Sequence, residues 1–131
     1  MRRSSDAVVA AARAMLGVRF RPQGRSPDAG LDCVGLVAIA LGVDDVPGDY
    51  SLRGSGAPER IAAALSARGL RREDVARPGD VLMMAAGPAQ THLGIFTGSG
   101  LVHGDAGLRR VVGRPGPTPW PVIQIWRLRE D

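Results

Sequence analysis

The chain changes its pattern of apolar residues halfway along, and no other feature constrains its fold as much. Up to about residue 67 the apolar side chains recur at helical spacing; from Arg77 onward they fall into short runs cut by glycine and proline turns. Ser4 or Ser5 can cap a helix running to about Leu16, with Val8, Val9, Ala12, Met15 and Leu16 on one face and Gly17 at its end. Residues 18–30 hold two prolines and two glycines and read as irregular. From Cys33 to Leu41 the chain is apolar nearly all round, which predicts a central, buried helix stopped by Gly42. Residues 43–58 read as a loop. A third helix is expected over about Pro58 to Ala67, with Ile61, Ala64 and Leu65 inward and Gly69 after it.

The turn Arg77-Pro78-Gly79-Asp80 then announces strands. These are expected at Val81–Ala85, Thr91–Thr97, Leu101–Gly104, about Arg110–Val112 and Val122–Leu128, with Gly98-Ser99-Gly100 as a tight hairpin and a Pro/Gly-rich loop from Arg114 to Pro121. Helices first and strands second predict an α+β fold, N-terminal helices packed on a C-terminal antiparallel sheet. At 131 residues this is one domain, spanning 1–131.

Composition narrows the partners. Apolar residues at 44% and charged residues at 23% are ordinary for a globular protein and exclude wholesale disorder. With aromatics at only 4%, the core must be built from Ala, Val, Leu and Ile. Every basic side chain is arginine, 17 of them, giving a net charge of +4 and favouring acidic partners. The arginines are scattered, in runs no longer than two and without interleaved aromatics to stack bases, which argues against nucleic acid. No apolar stretch approaches the length of a membrane span. Asp6 and Arg13 interrupt the N-terminal apolar segment and no cleavage site follows, so no export signal is expected. One cysteine allows no internal disulfide.

The residues able to do chemistry are few. Cys33 is the only cysteine and His92 and His103 are the only histidines. At a helix start, unpaired backbone N–H groups favour a thiolate, lowering the thiol pKa and speeding alkylation relative to a free thiol. The same amides can hold an oxyanion. His92 and His103 lie on strands joined by one hairpin, so antiparallel pairing brings them close. A thiol nucleophile needs a base, and the base needs an orienting group. Asp105, two residues beyond His103, is a rival for the orienting role. Asp32 adjoins the thiol and is expected to cap the helix or bind substrate. Cys33, His92, His103 and Asp105 could instead supply four zinc ligands, but no closely spaced ligand pair is present. The reading calls for no metal and no cofactor.

Four blocks then resemble the NlpC/P60 cysteine peptidases. They are Ala14–Gly24, Asp32-Cys33-Val34-Gly35-Leu36-Val37, Arg77-Pro78-Gly79-Asp80-Val81-Leu82, and His92-Leu93-Gly94-Ile95-Phe96-Thr97-Gly98 followed by Leu101-Val102-His103. They cover nearly the whole chain in the family's order. The resemblance implies a papain-like fold with Cys33 as nucleophile, His92 as general base and His103 as the polar third member. It also implies cleavage of peptidoglycan stem peptides, usually between D-γ-glutamate and diaminopimelate or lysine. Two positions depart from the family pattern. Val34 stands where a serine commonly helps to bind the substrate's amino end, and Phe20 stands where a tyrosine is common. An apolar residue after the cysteine looks more like the branch found in phage tails and gene-transfer agents. That branch implies tail-particle proteins as partners and a protein made in the cytoplasm and carried to the wall by a particle.

The sequence therefore admits three functions. The first is a cysteine endopeptidase acting on peptidoglycan. The second is an amidase or acyltransferase of the same fold acting on another amide or ester. The third is a tail or wall module that binds without cutting.

Overall fold

The computed structural model describes residues 3–43 and 52–129, and most of the expected loop at 43–58 lies outside them. The architecture is α+β: three helices followed by a six-stranded antiparallel sheet. Helix α1 spans Ser5–Ala14, with the Ser4 hydroxyl accepting the Ala7 N–H at 3.2 Å and Val8, Val9 and Ala12 buried. The helix stops at Met15, so Leu16, expected on its apolar stripe, falls past the end and is 46% exposed.

Helix α2, Cys33–Leu41, is buried at every position except Ile39, as its uniform apolarity requires. Asp32 caps its start and left-handed Gly42 ends it. The Arg3 guanidinium reaches across to donate to the carbonyls of Ile39 and Ala40 at 2.6 and 2.9 Å, tying the N-terminus to the last turn of α2. Helix α3, Ala57–Ala67, turns Ala57, Ile61 and Leu65 inward.

Residues 18–30 are not wholly irregular. They contain a short ladder in which β1 (Arg25–Ser26) pairs with β2 (Gly30–Leu31). The main sheet has the order β3-β8-β4-β5-β6-β7. Its strands are β3 (Leu70–Glu73), β4 (Val81–Gly87), β5 (Gln90–Phe96), β6 (Gly100–Asp105), β7 (Arg110–Pro115) and β8 (Val122–Leu128). Strand β3 was not expected. Its sequence, Leu-Arg-Arg-Glu, offers one apolar residue, and its strand character comes from pairing with β8, Leu70 opposite Leu128.

Both faces of the sheet are covered. Val81, Met83, Leu93, Ile95, Val102 and Val111 meet the helices, forming one core with Val8, Ala12, Leu36, Val37, Ala40, Ile61 and Leu65. Leu82, Met84 and Leu101 point to the other side, under Phe96, Trp120 and Ile125. This double burial explains why β4 reads as a continuous apolar run and not as an alternation. Asp80, 1% exposed, enters β4 in an ion pair: Arg127 of β8 donates to it through Nε and Nη2, both at 2.8 Å. The same guanidinium reaches Glu73 of β3 at 2.7 Å, so one arginine ties three neighbouring strands. Among the described residues no helix is long and apolar enough to cross a membrane.

Candidate active site

Cys33, His92 and His103 line one groove of about 450 Å³ at the end of the sheet where β4 stops, β5 starts and β6 stops. The register places them there. His92 pairs with Met84 and His103 with Val112, so both imidazoles stand on the sheet face away from the helices. Cys33 arrives from the helical layer. On that side Gly104 presents no side chain to α2: a Cβ at Gly104 would lie 3.2 Å from the Asp32 carbonyl carbon and 3.3 Å from the Cys33 nitrogen. Gly35 does the same on the opposite flank, where a Cβ would lie 2.1 Å from the Gly24 carbonyl oxygen. These two glycines let the start of α2 be clamped between β6 and the segment leading to it.

Asp32 is fully engaged in holding this junction. Its Oδ1 accepts the Gly35 N–H and an Arg25 Nη1–H, both at 2.8 Å, and its Oδ2 accepts the Gln23 N–H at 3.0 Å. Of the two roles expected for it, capping is the one its bonds show. Val34, expected to contact substrate, points elsewhere: it is buried in the helical core and lines an apolar cavity with Val37, Leu41, Ile61 and Leu93. Helical rotation explains the difference, since Val34 lies about 100° round α2 from Cys33. Phe20 does line the groove, beside Pro22 and Gln23.

The environment of Cys33 opposes the expectation drawn from its helix position. The thiol is 2% exposed, and its pKa is pushed from 9.0 up to about 12. Burial is the main cause and the Asp32 carboxylate adds to it; the Leu93 amide, the Arg25 charge and the Cys33 amide pull the other way and lose. The resting sulfur is therefore a thiol.

His92 Nε2 and His103 Nδ1 are 2.9 Å apart. Burial pushes His92 from 6.5 down to about 4, helped by His103 and opposed by Asp105. His103 has no exposed surface and is also lowered, by burial first and Arg114 next, against the raising effects of Asp105 and the Gly104 backbone. Both imidazoles are neutral near pH 7. Asp105, the rival orienting group, uses Oδ1 to accept the Leu108 N–H at 3.0 Å in its own turn, and His103 occupies the position beside His92. A donor–acceptor pair of neutral imidazoles fixes the tautomers as a set. When His92 Nε2–H donates to His103 Nδ1, His92 Nδ1 carries a free lone pair. His103 Nε2–H is then buried with no partner among the described residues. That arrangement can take a proton at His92 Nδ1.

Trp120 is the residue that sequence reasoning missed. Its ring lies edge-on to both imidazoles, 5.0 Å from His92 and 5.5 Å from His103 between centroids, and it lines the groove. The Thr118 hydroxyl donates to its carbonyl at 3.2 Å, and the Ala85 N–H of β4 donates to Pro121 at 2.9 Å, which anchors the loop. The available signal was a tryptophan inside a Pro/Gly loop of an aromatic-poor chain. Among the described residues no group of three or more His, Cys, Asp or Glu side chains is arranged to hold a metal ion.

No protein-family model and no curated protein sequence matches the chain. Solved structures do. The NlpC/p60 domain of the peptidoglycan hydrolase SagA is 24% identical, with a TM-score of 0.59 over 86% of this chain and 90% of that one. The peptidoglycan hydrolase RipB from Mycobacterium tuberculosis is 23% identical, with a TM-score of 0.60 over 97% of this chain and 65% of that one. NlpC1 from Trichomonas vaginalis is 18% identical, with a TM-score of 0.63 over 94% of this chain, which spans 44% of the length of that protein. At these identities the likeness is one of architecture. The chain has the NlpC/P60 fold.

Proposed function

We propose that the protein is a cysteine endopeptidase of the NlpC/P60 type that hydrolyses peptidoglycan stem peptides at the bond between D-γ-glutamate and diaminopimelate. The observation that carries this reading is the meeting of Cys33, His92 and His103 in one groove, with the two imidazoles bonded at 2.9 Å. Two of the structures that share the fold are described as peptidoglycan hydrolases.

In this reading the Cys33 thiol gives its proton to His92 Nδ1 as the sulfur attacks the scissile carbonyl. His103 accepts from His92 Nε2–H and so stabilises the imidazolium that forms. The oxyanion faces the start of α2. There the Gly35 N–H is already taken by Asp32, leaving the amides of Cys33 and Val34. The imidazolium then protonates the leaving amine, giving a thioester. Water, deprotonated by His92, attacks that thioester and returns Cys33 to the thiol. Trp120 covers the imidazole pair and keeps water from competing for their hydrogen bonds.

The departures at Val34 and Phe20 support two narrower readings. Phe20 lines the groove without the hydroxyl usual at its position, which favours an altered acyl substrate and keeps an amidase or acyltransferase in view. The apolar residue after the cysteine also supports delivery by a phage-tail or gene-transfer particle.

Digestion of purified sacculi with the protein and with Cys33→Ala, followed by mass analysis, tests the main reading. Peptides ending at D-γ-glutamate are expected from the first digest and none from the second. Activity surviving Cys33→Ala ends the proposal. Turnover of small acyl esters without release of wall peptides would favour the amidase or acyltransferase reading.

A further inference from the structure

The groove has a basic rim that the proposed chemistry does not use. Residues 17–20 run beside β7 as an outer strand: Gly17 N–H donates to Val111 O at 2.9 Å, Val111 N–H to Val18 O at 2.8 Å, and Phe20 N–H to Arg109 O at 2.9 Å. This pairing sets Arg19 directly opposite Arg110, both exposed. Directly opposed like charges on adjacent strands repel. Arg21 follows Arg19 by two residues and Arg109 precedes Arg110, and both are exposed. Arg109 also holds a left-handed backbone, φ 60°, an uncommon state for a residue with a side chain.

Counter-charge is sparse. Among the described residues Arg19, Arg21, Arg109 and Arg110 are in no salt bridge. Asp105 stands opposite Arg110 in the β6–β7 register, but its Oδ1 accepts the Leu108 N–H, and Arg110 Nε donates to the Leu108 carbonyl at 3.3 Å. The cluster borders the groove: Phe20, between Arg19 and Arg21, and Gly107, two residues before Arg109, both line it.

We propose that Arg19, Arg21, Arg109 and Arg110 form an oxyanion-binding rim that grips a second, negatively charged part of the polymer whose peptide enters the groove. The identity of that polymer rests on the peptidase reading above. Guanidinium forks match carboxylate and phosphate oxygens in pairs. A cluster of unpaired cations beside a groove draws a polyanion toward it, with a strength that falls as salt screens it. A bacterial wall supplies such oxygens from two sources, the carboxylates of neighbouring stem peptides and phosphodiester polymers attached to the glycan. Among the described residues these arginines have one aromatic beside them in the chain, Phe20, and not the series of rings on which successive bases stack, which favours the wall over nucleic acid.

The test uses Cys33→Ala protein, which binds sacculi without cutting them, followed by co-sedimentation across a range of salt. Adding Arg19→Gln and Arg110→Gln is expected to weaken binding at low salt by about tenfold or more and to flatten its salt dependence. In protein that keeps Cys33, the same two substitutions are expected to lower activity on sacculi much more than on a short soluble stem peptide. Equal binding and equal salt slope in the two Cys33→Ala proteins overturn the proposal. So does an equal proportional loss on both substrates, which would mean damage to the groove itself. Sacculi stripped of phosphodiester polymers with hydrofluoric acid separate the sources: binding lost on stripping assigns the phosphates, and binding kept assigns the stem-peptide carboxylates. Displacement from sacculi by a tighter-binding DNA duplex would overturn the wall polymer as partner. If no stem peptide is cut yet arginine-dependent binding persists, the peptidase reading fails and the rim stands.

Discussion

His92 is the residue through which every proposed proton passes, and its surroundings set its working range. With its pKa near 4 and that of Cys33 near 12, the resting pair is imidazole and thiol, not imidazolium and thiolate. The sulfur is therefore activated only as it attacks, and its resting alkylation is expected to be slow. Iodoacetamide at pH 7.5 should modify Cys33 more slowly than free cysteine, the reverse of what its place at a helix start suggests. Trp120 contributes to the burial that holds the imidazoles neutral. Trp120→Ala should raise the His92 titration toward 6.5, read by NMR of the imidazole nitrogens, and shift the acid limb of kcat upward with it. Trp120→Phe should retain most of the native titration. An unmoved His92 in Trp120→Ala would show that the indole does not shield the pair. His103→Ala removes the acceptor for His92 Nε2–H and is expected to lower kcat by about 10²-fold or more with a smaller change in KM.

At the scale of elements, the decisive contact is the start of α2 against β6. It depends on Gly104, where any side chain meets the backbone of Asp32 and Cys33. Gly104→Val should push the helix start away from the sheet, costing about 1–3 kcal/mol of stability and a larger share of kcat. Urea unfolding alongside kinetics checks both, and native kcat in a folded Gly104→Val protein would sink the idea. The helix itself was legible in the sequence, from Asp32 through the uniform apolar run to Gly42, because caps and periodicity are local. Its effect on the thiol was not. The helix start favours a thiolate, but β5, β6 and the 20–25 segment bury that start, and desolvation outweighs it. Strand β3 was illegible for a related reason: Leu-Arg-Arg-Glu becomes a strand only because β8 returns from the far end of the chain to pair with it.

Across the whole molecule, the last strand enters the sheet between β3 and β4, and Arg127 fastens it to Asp80 and Glu73. Asp80→Ala would leave the Arg127 guanidinium buried with only part of its charge compensated, at a cost of about 3 kcal/mol or more in chemical unfolding. Stability should also depend on pH at both ends. The unfolded chain takes up a proton on His92 below 6.5 while the folded chain resists until about 4, so stability is full above 6.5 and declines as pH falls across that window. The unfolded thiol loses its proton above 9.0 while the folded thiol holds it to about 12, so stability also declines as pH rises past 9.0, by about 1.4 kcal/mol per unit. His92→Ala should make the acid arm shallower, leaving the share that buried His103 contributes, and Cys33→Ala should flatten the alkaline arm; arms that both variants leave intact would refute these assignments. The sequence by itself determined the helical half and most of the strands, and it placed one thiol at a helix start and two imidazoles across a hairpin. Periodicity, caps and turns act over a few residues, and a reader of the chain sees all of them. Only the tertiary structure decided that β8 lies between β3 and β4, that Val34 faces the core, that Trp120 covers the histidines and that Cys33 rests protonated. Each depends on which distant segment removes a group from water, and desolvation is a property of the assembled fold.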